Sequence, residues 1–494
     1  MSLPRRSQSA LEYMMTYGWA ILVIVIVAAV LYSLGIFSPS SSLSTTVTGF
    51  ANTPVSSAAF TNNGGLAFSV GDLVGYPIEI TNVTEITASG SKITILPNIT
   101  VSPSQTKVII IPKAFSSSTQ GSHESISLTI TYTEPGQVFQ GPYTSTGTVS
   151  GTTPTLFFPT NQTFAAVSKL TITNSQTTAT PSPFQQMINI TSTSPGWAYI
   201  PQDFGQNVEF FYPNGTVIPS WLENYTSSHA LWWVKVGSIP ASSSITIYMG
   251  FASSSTNLFN TVNDGEAPQL SSTYAEYDDG ANVFNYYTNF AGTTLPSGWV
   301  SGVPSGSSVT ANNGLTISGN GANTGASYAA TTNAVFDNNN ILEGYINQND
   351  GVTDNERGMI SISTVNNDEP LWDNGGGSGD TIAGWSGGKN GVVNIIQSMT
   401  VLNGTYTYLN SISSNSNWNI YGVSLSSNAG ITTSVNYGDL SSTTSDNPSA
   451  SLYVNLGVYN TGGGSPFNLE YTWVRVRAYP PNGVMPSVTF GSVS

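Results

Sequence analysis

Carboxylates are the residues whose chemistry would matter most in this chain, because a pair of them flanking a sugar bond can hydrolyse a glycoside. Two acidic groups occur in the second half of the sequence. Both fall in Asn- and Gly-rich stretches that we predict to be loops, so no single strand holds their carboxylates on one face. The spacing therefore argues against catalysis by either group: Glu276 with Asp278 and Asp279, or Asp368 with Glu369 and Asp373.

A second kind of chemistry is suggested by the oxygen-rich stretch around Asn349, where calcium is the cation to consider because it accepts six to eight oxygen ligands. The spacing is not that of an EF-hand loop, so a solvated turn is the alternative. We predict no cofactor and no metal site, and the candidate ligands for calcium are Asp350, Asp354 and Glu356.

Tryptophans in Gly-rich stretches are candidates for stacking against a sugar ring. Trp372 and Trp385 both have this setting, and burial in the core is the alternative for each. The two histidines, His123 and His229, fall in different predicted domains, and no nucleophile motif supports a Ser-His-Asp triad. The sequence therefore predicts a protein that is not an enzyme.

The composition is typical of an extracellular protein. No cysteine occurs in 494 residues, only 7% of the residues are charged, and the net charge is -15. Disulfides and thiolate metal sites are excluded, and the absence of a basic stripe argues against nucleic-acid binding. Low charge also predicts tolerance of acid. Seven asparagines begin Asn-x-Ser/Thr triplets and are candidates for N-glycosylation: Asn82, Asn98, Asn161, Asn189, Asn214, Asn224 and Asn403.

An apolar segment near the N-terminus is predicted to place the remainder of the chain relative to the membrane. Arg5 and Arg6 precede a stretch that is apolar enough, from Tyr13 to Phe37, to span a bilayer as a helix. The basic pair places the start in the cytoplasm and the remainder outside. We predict a filament-core or transmembrane helix over residues 8–38, with Glu12 in its first turn, where the helix dipole favours an acid.

Residues 5 to 37 resemble the class III signal peptide and N-terminal helix of archaeal type IV pilins and archaellins. The shared pattern is a basic pair, a small residue and a QSALEY start before the apolar run. The resemblance implies that a prepilin peptidase removes residues 1–7 by cutting between Ser7 and Gln8, and that Glu12 serves assembly. At the cleaved position, where this sequence has Ser7, the family more commonly has Gly or Ala. A plain signal anchor is the alternative.

After a short polar linker, alternating apolar and polar residues predict β-structure throughout. In the predicted strand Ser125–Tyr132, Ile126, Leu128 and Ile130 alternate with Ser and Thr. We predict an immunoglobulin-like sandwich over 39–151, a β-rich accessory domain over 152–285 and a further sandwich over 286–494. In the accessory domain, Trp232 and Trp233 are neighbours in a strand, so one should face the core and the other the opposite surface.

Two further resemblances concern these domains. The run from Asn207 to Phe251, with its Asn214-Gly215 turn, resembles a domain of unknown function numbered 2341, which implies an accessory module rather than an enzyme. Residues 286–494 resemble the concanavalin A-like lectin and glucanase sandwich. Laminarinase-type enzymes of that fold carry an E-x-D-x-x-E strand that the acidic groups here lack. The last strand alternates Trp473, Arg475 and Arg477 with Val474 and Val476, which predicts one polar face.

We therefore predict a mainly β protein with one long N-terminal hydrophobic helix and three β-sandwich domains. The function predicted is that of a structural subunit of an extracellular pilus-like filament, which polymerises through its helix and adheres through its outer domains. Expected partners are identical subunits, prepilin peptidase, the membrane assembly machinery, the membrane before assembly, and surface glycans. A membrane-anchored, monomeric carbohydrate-binding surface protein is the alternative.

Overall fold

Strands make up nearly all regular structure in the computed structural model of this protein. It describes residues 45–86, 92–115, 121–159, 162–200, 205–319, 325–348, 356–357, 359–366, 381–389, 392–402, 405–413, 416–427, 430–443, 451–460 and 467–494. The chain divides into two compact units, Met1–Asn161 and Gln162–Ser494, which we call unit 1 and unit 2.

Unit 1 is a two-sheet sandwich. One sheet has the order β1-β9-β8-β4-β5, with β6 also paired to β4, and the other has the order β2-β3-β7. In β8 the residues Ile126, Leu128 and Ile130 are buried, which confirms the predicted alternation. The strands are β1 Thr46–Gly49, β2 Val55–Phe60, β3 Leu66–Gly71, β4 Ile78–Ile86, β5 Lys92–Ile95, β6 Ile99–Val101, β7 Thr106–Ile111, β8 His123–Thr133 and β9 Tyr143–Thr152.

Unit 2 begins with a sandwich of two four-stranded sheets, ordered β12-β15-β10-β33 and β11-β14-β13-β16. Trp232 packs into the core between these sheets, whereas Trp233 is buried on the opposite face, as predicted. The elements are β10 Ala166–Asn174, β11 Phe184–Thr191, β12 Val208–Phe211, β13 Ser220–Tyr225, β14 His229–Val236, β15 Ser243–Phe251, β16 Asp264–Glu266, α1 Gly280–Val283, β33 Ser487–Val493, and the 3-10 turns Trp197–Tyr199 and Pro481–Gly483.

The second sandwich of unit 2 has two eight-stranded sheets. One is ordered β19-β20-β32-β22-β28-β29-β30 with β17 on β32, and the other β18-β21-β31-β24-β25-β26-β27 with β23 on β31. The strands are β17 Tyr286–Thr288, β18 Trp299–Gly302, β19 Ser308–Ala311, β20 Leu315–Gly319, β21 Gly325–Thr331, β22 Asn340–Gln348, β23 Glu356–Arg357, β24 Ile360–Ser363, β25 Thr381–Lys389, β26 Val392–Leu402, β27 Thr405–Ser413, β28 Trp418–Ser426, β29 Gly430–Val435, β30 Gly438–Thr443, β31 Tyr453–Asn460 and β32 Phe467–Ala478.

The predicted fold class needs correction. In the residues that the structure describes, the α-helix is the four-residue α1, and no helix there has the length and apolar character to cross a membrane. The described part of the chain is therefore nearly all β, and the long apolar helix of the pilin-like and transmembrane prediction does not occur in it. The segment 8–38, to which that helix was assigned, lies outside the described residues.

The predicted domain boundaries also differ from the structure. The C-terminal strand β33 does not belong to the sandwich that precedes it. It returns to pair with β10, where Thr489 lies opposite Thr171. Val488 and Phe490 of β33 pack against the core of the first sandwich. Pairing across more than three hundred residues leaves no local signal, so the sequence alone assigned this strand to the third domain.

Candidate functional site

The most highly organised polar site in the described residues surrounds Arg475, whose side chain is completely buried between the two sandwiches of unit 2. Arg475 lies on β32, directly opposite Glu343 on β22. Its Nε is 2.8 Å from Glu343 Oε2, and its Nη1 is 2.8 Å from Oε2 of Glu223 on β13. Arg477 completes the network, with Nη2 2.6 Å from Glu343 Oε1. The network thus ties a strand of the first sandwich to two strands of the second.

Aromatic rings enclose the guanidinium group of Arg475. Its central carbon lies between 4.5 and 5.4 Å from the ring centroids of Trp473, Trp233, Phe284 and Trp221. The ring quadrupoles attract a cation most strongly where water is excluded. We call the two arginines, the two glutamates and these rings the arginine cluster.

The glutamates of the arginine cluster are fully engaged in ion pairs and hydrogen bonds. Trp233 Nε1 donates to Glu223 Oε2 at 2.7 Å, and the Tyr437 hydroxyl donates to the same carboxylate. Burial by itself would raise the pKa of Glu343, but Arg477 and Arg475 outweigh it and lower that pKa. Burial raises the pKa of Tyr437 well above its usual value, against the opposing effect of Arg475. Water-excluded carboxylates held by arginine are suited to joining two sheets rather than to exchanging protons with a substrate.

Asp278, one of the acidic residues examined for catalysis, is held in a second polar site beside the arginine cluster. Its Oδ1 accepts hydrogen bonds from Trp221 Nε1 at 2.8 Å and from the backbone N of Gly280 at 2.9 Å. Its Oδ2 accepts from the Tyr287 hydroxyl at 2.6 Å and from Asn289 Nδ2 at 2.7 Å. Because both oxygens are occupied by structural donors, this carboxylate anchors the segment that connects the two sandwiches.

Glu209, Asp264 and Asp279 form what we call the carboxyl cluster, and they are 4%, 4% and 1% exposed. Glu209 and Asp264 lie on β12 and β16, the edge strands of the two sheets of the first sandwich. Within the described part of the chain, Glu209 Oε2, Asp264 Oδ1 and both oxygens of Asp279 have no hydrogen-bond partner. An unpaired buried carboxylate is costly, so these groups favour their protonated forms.

The pKa shifts in the carboxyl cluster follow from this burial. Burial raises the pKa of Glu209 to about 8, and the charge of Asp264 adds to the effect. Burial raises the pKa of Asp264 to about 7, although a hydrogen bond from Asn260 opposes the shift. The pKa of Asp279 is raised well above its usual value by burial, and Asp278 and Asp264 add to this shift. The cluster therefore retains protons that exposed carboxyls would lose.

Gly265 separates Asp264 from Glu266 and supports the carboxyl cluster by lacking a side chain. A Cβ at this position would lie 2.0 Å from Asp279 Oδ1. We expect Gly265→Ala to lower the free energy of unfolding by about 1–3 kcal/mol through overpacking, as measured by urea unfolding of the full chain. Gly237→Ala is the control, because nothing lies within 4 Å of its added Cβ. Equal stability of the two variants would contradict this packing.

Trp385 does not occupy the loop predicted for it. It lies within β25, is completely buried, and donates from Nε1 to the carbonyl oxygen of Gly422 at 2.9 Å. The sugar-stacking prediction for Trp385 is therefore wrong, since its rings pack in the core. Trp372 lies outside the described residues.

The remaining predicted site residues are distributed as follows. Glu356 lies in β23, and Asp350 and Asp354 are outside the described residues. Across the ranges that the structure describes, no three His, Asp or Glu side chains are arranged to hold a metal ion. Asp368, Glu369, Asp373, Ser7, Gln8 and Glu12 also fall outside those ranges. Among the sequons, Asn98, Asn189, Asn214 and Asn224 are exposed, Asn82 is half-buried, and Asn161 and Asn403 are not described.

Sequence reasoning missed the arginine cluster, although a signal for part of it was present. The alternation in β32 placed Arg475 and Arg477 correctly on one face of a strand. Glu223 and Glu343 are each the one charged residue of their strands, β13 and β22, and such isolated acids are the partners that buried arginines need. The alternation predicted one polar face for β32 but named no partner for its two arginines.

Comparison with known proteins identifies part of this region. Residues 204–302 match the family "Domain of unknown function (DUF2341)", which confirms the resemblance predicted for Asn207–Phe251. The matched stretch extends beyond the predicted boundary at 285. It includes Glu223, two tryptophans of the arginine cluster, and Asp278. The cluster residues that come before β18 in the sequence therefore all lie within the matched stretch.

Other comparisons concern larger parts of the chain. "Uncharacterized protein 562" of Sulfolobus islandicus rod-shaped virus 1 is 32% identical over an alignment of 356 residues that covers 65% of this chain. The match spans 58% of the viral protein's length. The resemblance of residues 5–37 to archaeal pilins gains no support from these findings.

Solved structures similar to this chain include a β-glucanase of Bacillus licheniformis, at 14% identity and a TM-score of 0.28, over 39% of this chain and 97% of the glucanase. A putative β-glucanase of Mycobacterium abscessus has 19% identity and a TM-score of 0.28, over 39% of this chain and 99% of its own. The κ-carrageenase of Pseudoalteromonas carrageenovora has 11% identity and a TM-score of 0.27, over 39% and 93%. The similarity is to the β-sandwich of a glucanase-type fold.

Proposed function

We propose that this chain is a structural protein of an extracellular surface, in which unit 2 is a rigid, non-catalytic module for adhesion or contact. The observation that carries the proposal is the arginine cluster. In this cluster the polar face of β32 joins the two sandwiches, because Arg475 is completely buried and forms ion pairs with a glutamate of each. A face used in this way has no room for a substrate.

The placement of the carboxylates supports a role without catalysis. Hydrolysis of a glycoside requires two carboxyl groups on either side of a bound sugar. Glu223 and Glu343 are paired with Arg475, and Asp278 is occupied by four structural donors. The acids of the carboxyl cluster are almost completely buried. The sugar-binding alternative is weakened as well, since Trp385 lies in the core.

The expected location and partners rest on composition. A chain with 7% charged residues and no cysteine, with exposed sequons on both units, suits an extracellular surface where hydroxyls, amides and glycans provide solubility. Identical subunits are the partners that we favour. Polymerisation through residues 8–38 stays a prediction, because those residues lie outside the described part of the chain.

The proposal is tested by comparing attachment and catalysis. Cells that display the full chain are expected to attach to a solid surface several-fold better than cells that do not, and the purified chain is expected to release no reducing sugar from β-glucan or carrageenan. Lys169→Met changes an exposed residue of β10. Cells that display this variant are the control and should attach as well as cells that display the unchanged chain. Sugar release, or attachment that is indifferent to the chain, would overturn the proposal.

Calorimetry tests the rigidity of unit 2. Because the arginine cluster and β33 connect its sandwiches, we expect the described parts of the full chain to unfold in two transitions, one for each unit. Three independent sandwiches would give three transitions. A deletion of residues 487–494 removes β33 and should lower the transition temperature of unit 2 without moving that of unit 1.

A further inference from the structure

A cavity of about 110 Å³ lies beside the arginine cluster, between the two sandwiches of unit 2. Met187 of β11 lines it from the first sandwich, Ile341 of β22 lines it from the second, and Met485 lines it from the segment between β32 and β33. The exposed Asp439 of β30 is also part of the lining, so the cavity opens to solvent at that residue. We call it the junction cavity.

Small residues on two neighbouring strands make room for the junction cavity. Ser424 of β28 and Ser434 of β29 line it, on the same face of the sheet as Glu343. Gly422 lies directly opposite Ser434, and a Cβ at Gly422 would come within 2.3 Å of Ser434 Oγ. The hollow is therefore set by the sizes of residues in paired strands.

Arg477 brings an unused hydrogen-bond donor to the lining of the junction cavity. Its Nε and Nη2 donate to Glu343 Oε1 at 3.0 and 2.6 Å. Its Nη1 is buried and has no hydrogen-bond partner in the part of the chain that the structure describes. Because an unpaired buried N–H group costs free energy, a ligand oxygen that accepts from this guanidinium group gains a strong hydrogen bond.

Asp439 brings the complementary acceptor, because an ionised carboxylate accepts hydrogen bonds and donates none. Burial raises the pKa of Asp439, and the positive charge of Arg477 opposes that shift, so the two groups act on each other electrostatically. The hydroxyl of Tyr437, which also lines the cavity, already donates to Glu223. The junction cavity thus combines one guanidinium donor with one carboxylate acceptor.

These two groups of opposite charge select a neutral ligand. A carboxylate would be attracted by Arg477 and repelled by Asp439, whereas an ammonium group would be attracted by Asp439 and repelled by Arg477. A primary carboxamide suits both groups, because its carbonyl oxygen accepts from the guanidinium and its NH₂ donates to the carboxylate. No charge then has to be neutralised.

The size of the junction cavity agrees with this choice. Its volume is about 110 Å³, and an engineered cavity of about 150 Å³ accepts one benzene molecule. The junction cavity therefore admits about five heavy atoms, which suits the end of an Asn or Gln side chain, whereas a sugar ring with its hydroxyls is about twice that size. Met187, Ile341 and Met485 provide apolar contact for the methylene groups of such a side chain.

We propose that the junction cavity binds a primary carboxamide, presented by an Asn or Gln side chain of a partner polypeptide. This inference deepens the proposed contact function, because it names the chemical group that unit 2 recognises, and it rests on that function for the existence of a partner. The recognition is non-covalent and requires no metal ion or cofactor.

Saturation-transfer NMR on the purified full chain tests the proposal, since it detects weak ligands of a large protein. The probes are the N-acetyl, N-methylamide derivatives of glutamine, glutamate and lysine, which differ in the side chain. The glutamine derivative is expected to receive several-fold more saturation than the other two. No transfer to the glutamine derivative, or equal transfer to all three, would overturn the proposal. Cells are not used, so failure here is distinguishable from failure of the attachment assay.

Asp439→Asn gives a sharper test, because the substitution removes the charge that repels a carboxylate. We expect the ratio of glutamine to glutamate signals to fall about tenfold, as for the loss of a hydrogen bond to a charged group. Glu276→Gln, at an exposed carboxyl of unit 2 outside the cavity lining, should leave that ratio unchanged. Ser434→Leu fills the cavity and should abolish the glutamine signal. If Asp439→Asn keeps the ratio of the unchanged chain, the proposal is wrong.

Discussion

Replacing Arg475 with Met lowers the free energy of unfolding of unit 2 by about 3–5 kcal/mol, because two buried carboxylates lose their counter-ion. Glu223 and Glu343 are 5% and 1% exposed, so water cannot replace the guanidinium. Denaturant unfolding of the full chain, followed by tryptophan fluorescence, measures the loss. Nine of the ten tryptophans belong to unit 2, and three of these line the arginine cluster, so this signal reports mainly on unit 2.

Lys169→Met is the matched control for the Arg475 substitution, since it removes a cation from the exposed face of β10. It should change the free energy of unfolding by no more than about 0.5 kcal/mol. Adding Glu223→Gln to Arg475→Met should recover part of the lost stability, because one of the unpaired charges is removed. If Arg475→Met and Lys169→Met unfold at the same denaturant concentration, the arginine cluster does not join the sandwiches.

Raising the pH from 4 to 8 is expected to destabilise unit 2. In the unfolded chain Glu209 and Asp264 ionise near their ordinary pKa values, whereas in the folded chain they remain protonated until about pH 8 and about pH 7. Between these limits the folded state binds more protons than the unfolded state, so stability falls as the pH rises. At about 1.4 kcal/mol for each pKa unit, the loss from Glu209 alone is on the order of a few kcal/mol.

Thermal unfolding at pH 4, 6 and 8 measures this dependence. Glu209→Gln should flatten the decline, because the amide has no proton to lose. Glu276→Gln, at an exposed carboxyl, should leave the decline unchanged. A transition temperature for unit 2 that rises between pH 4 and pH 8 would mean that the carboxyl cluster is compensated by charges elsewhere. The direction expected here agrees with the acid tolerance predicted from the low charge of the sequence.

The features that were predicted correctly from the sequence are those that depend on local periodicity, such as which face of a strand a residue occupies. The alternation of Arg475 and Arg477 with Val474 and Val476 set the two faces of β32, and adjacent positions in β14 set the faces of Trp232 and Trp233. The Gly-rich neighbourhood of Trp385 was misleading, because glycines there belong to strand β25 rather than to a loop. Periodicity distinguishes two faces of a strand but does not say what covers each face.

The arginine cluster could not be predicted from spacing, because its members come from distant parts of the chain. Arg475 lies 132 residues from Glu343, and Tyr437, which donates to Glu223 of the cluster, lies 214 residues from it. The sequence shows one glutamate in each of β13 and β22 and two arginines on one face of β32. Only the packing of one sandwich on the other shows that these charges neutralise each other in a site closed to water.

The return of β33 to β10 has a consequence for synthesis of the chain. Ser168 Oγ donates to the carbonyl oxygen of Gly491 across 323 positions of sequence, so the first sandwich of unit 2 stays open at that edge until β33 has been synthesised. Loop closure over such a distance is slow, and β10 waits with an unpaired edge while the second sandwich is made. Prematurely terminated chains lack the closing strand and are exposed to proteases. Completion of the first sandwich therefore depends on synthesis of residues 487–493.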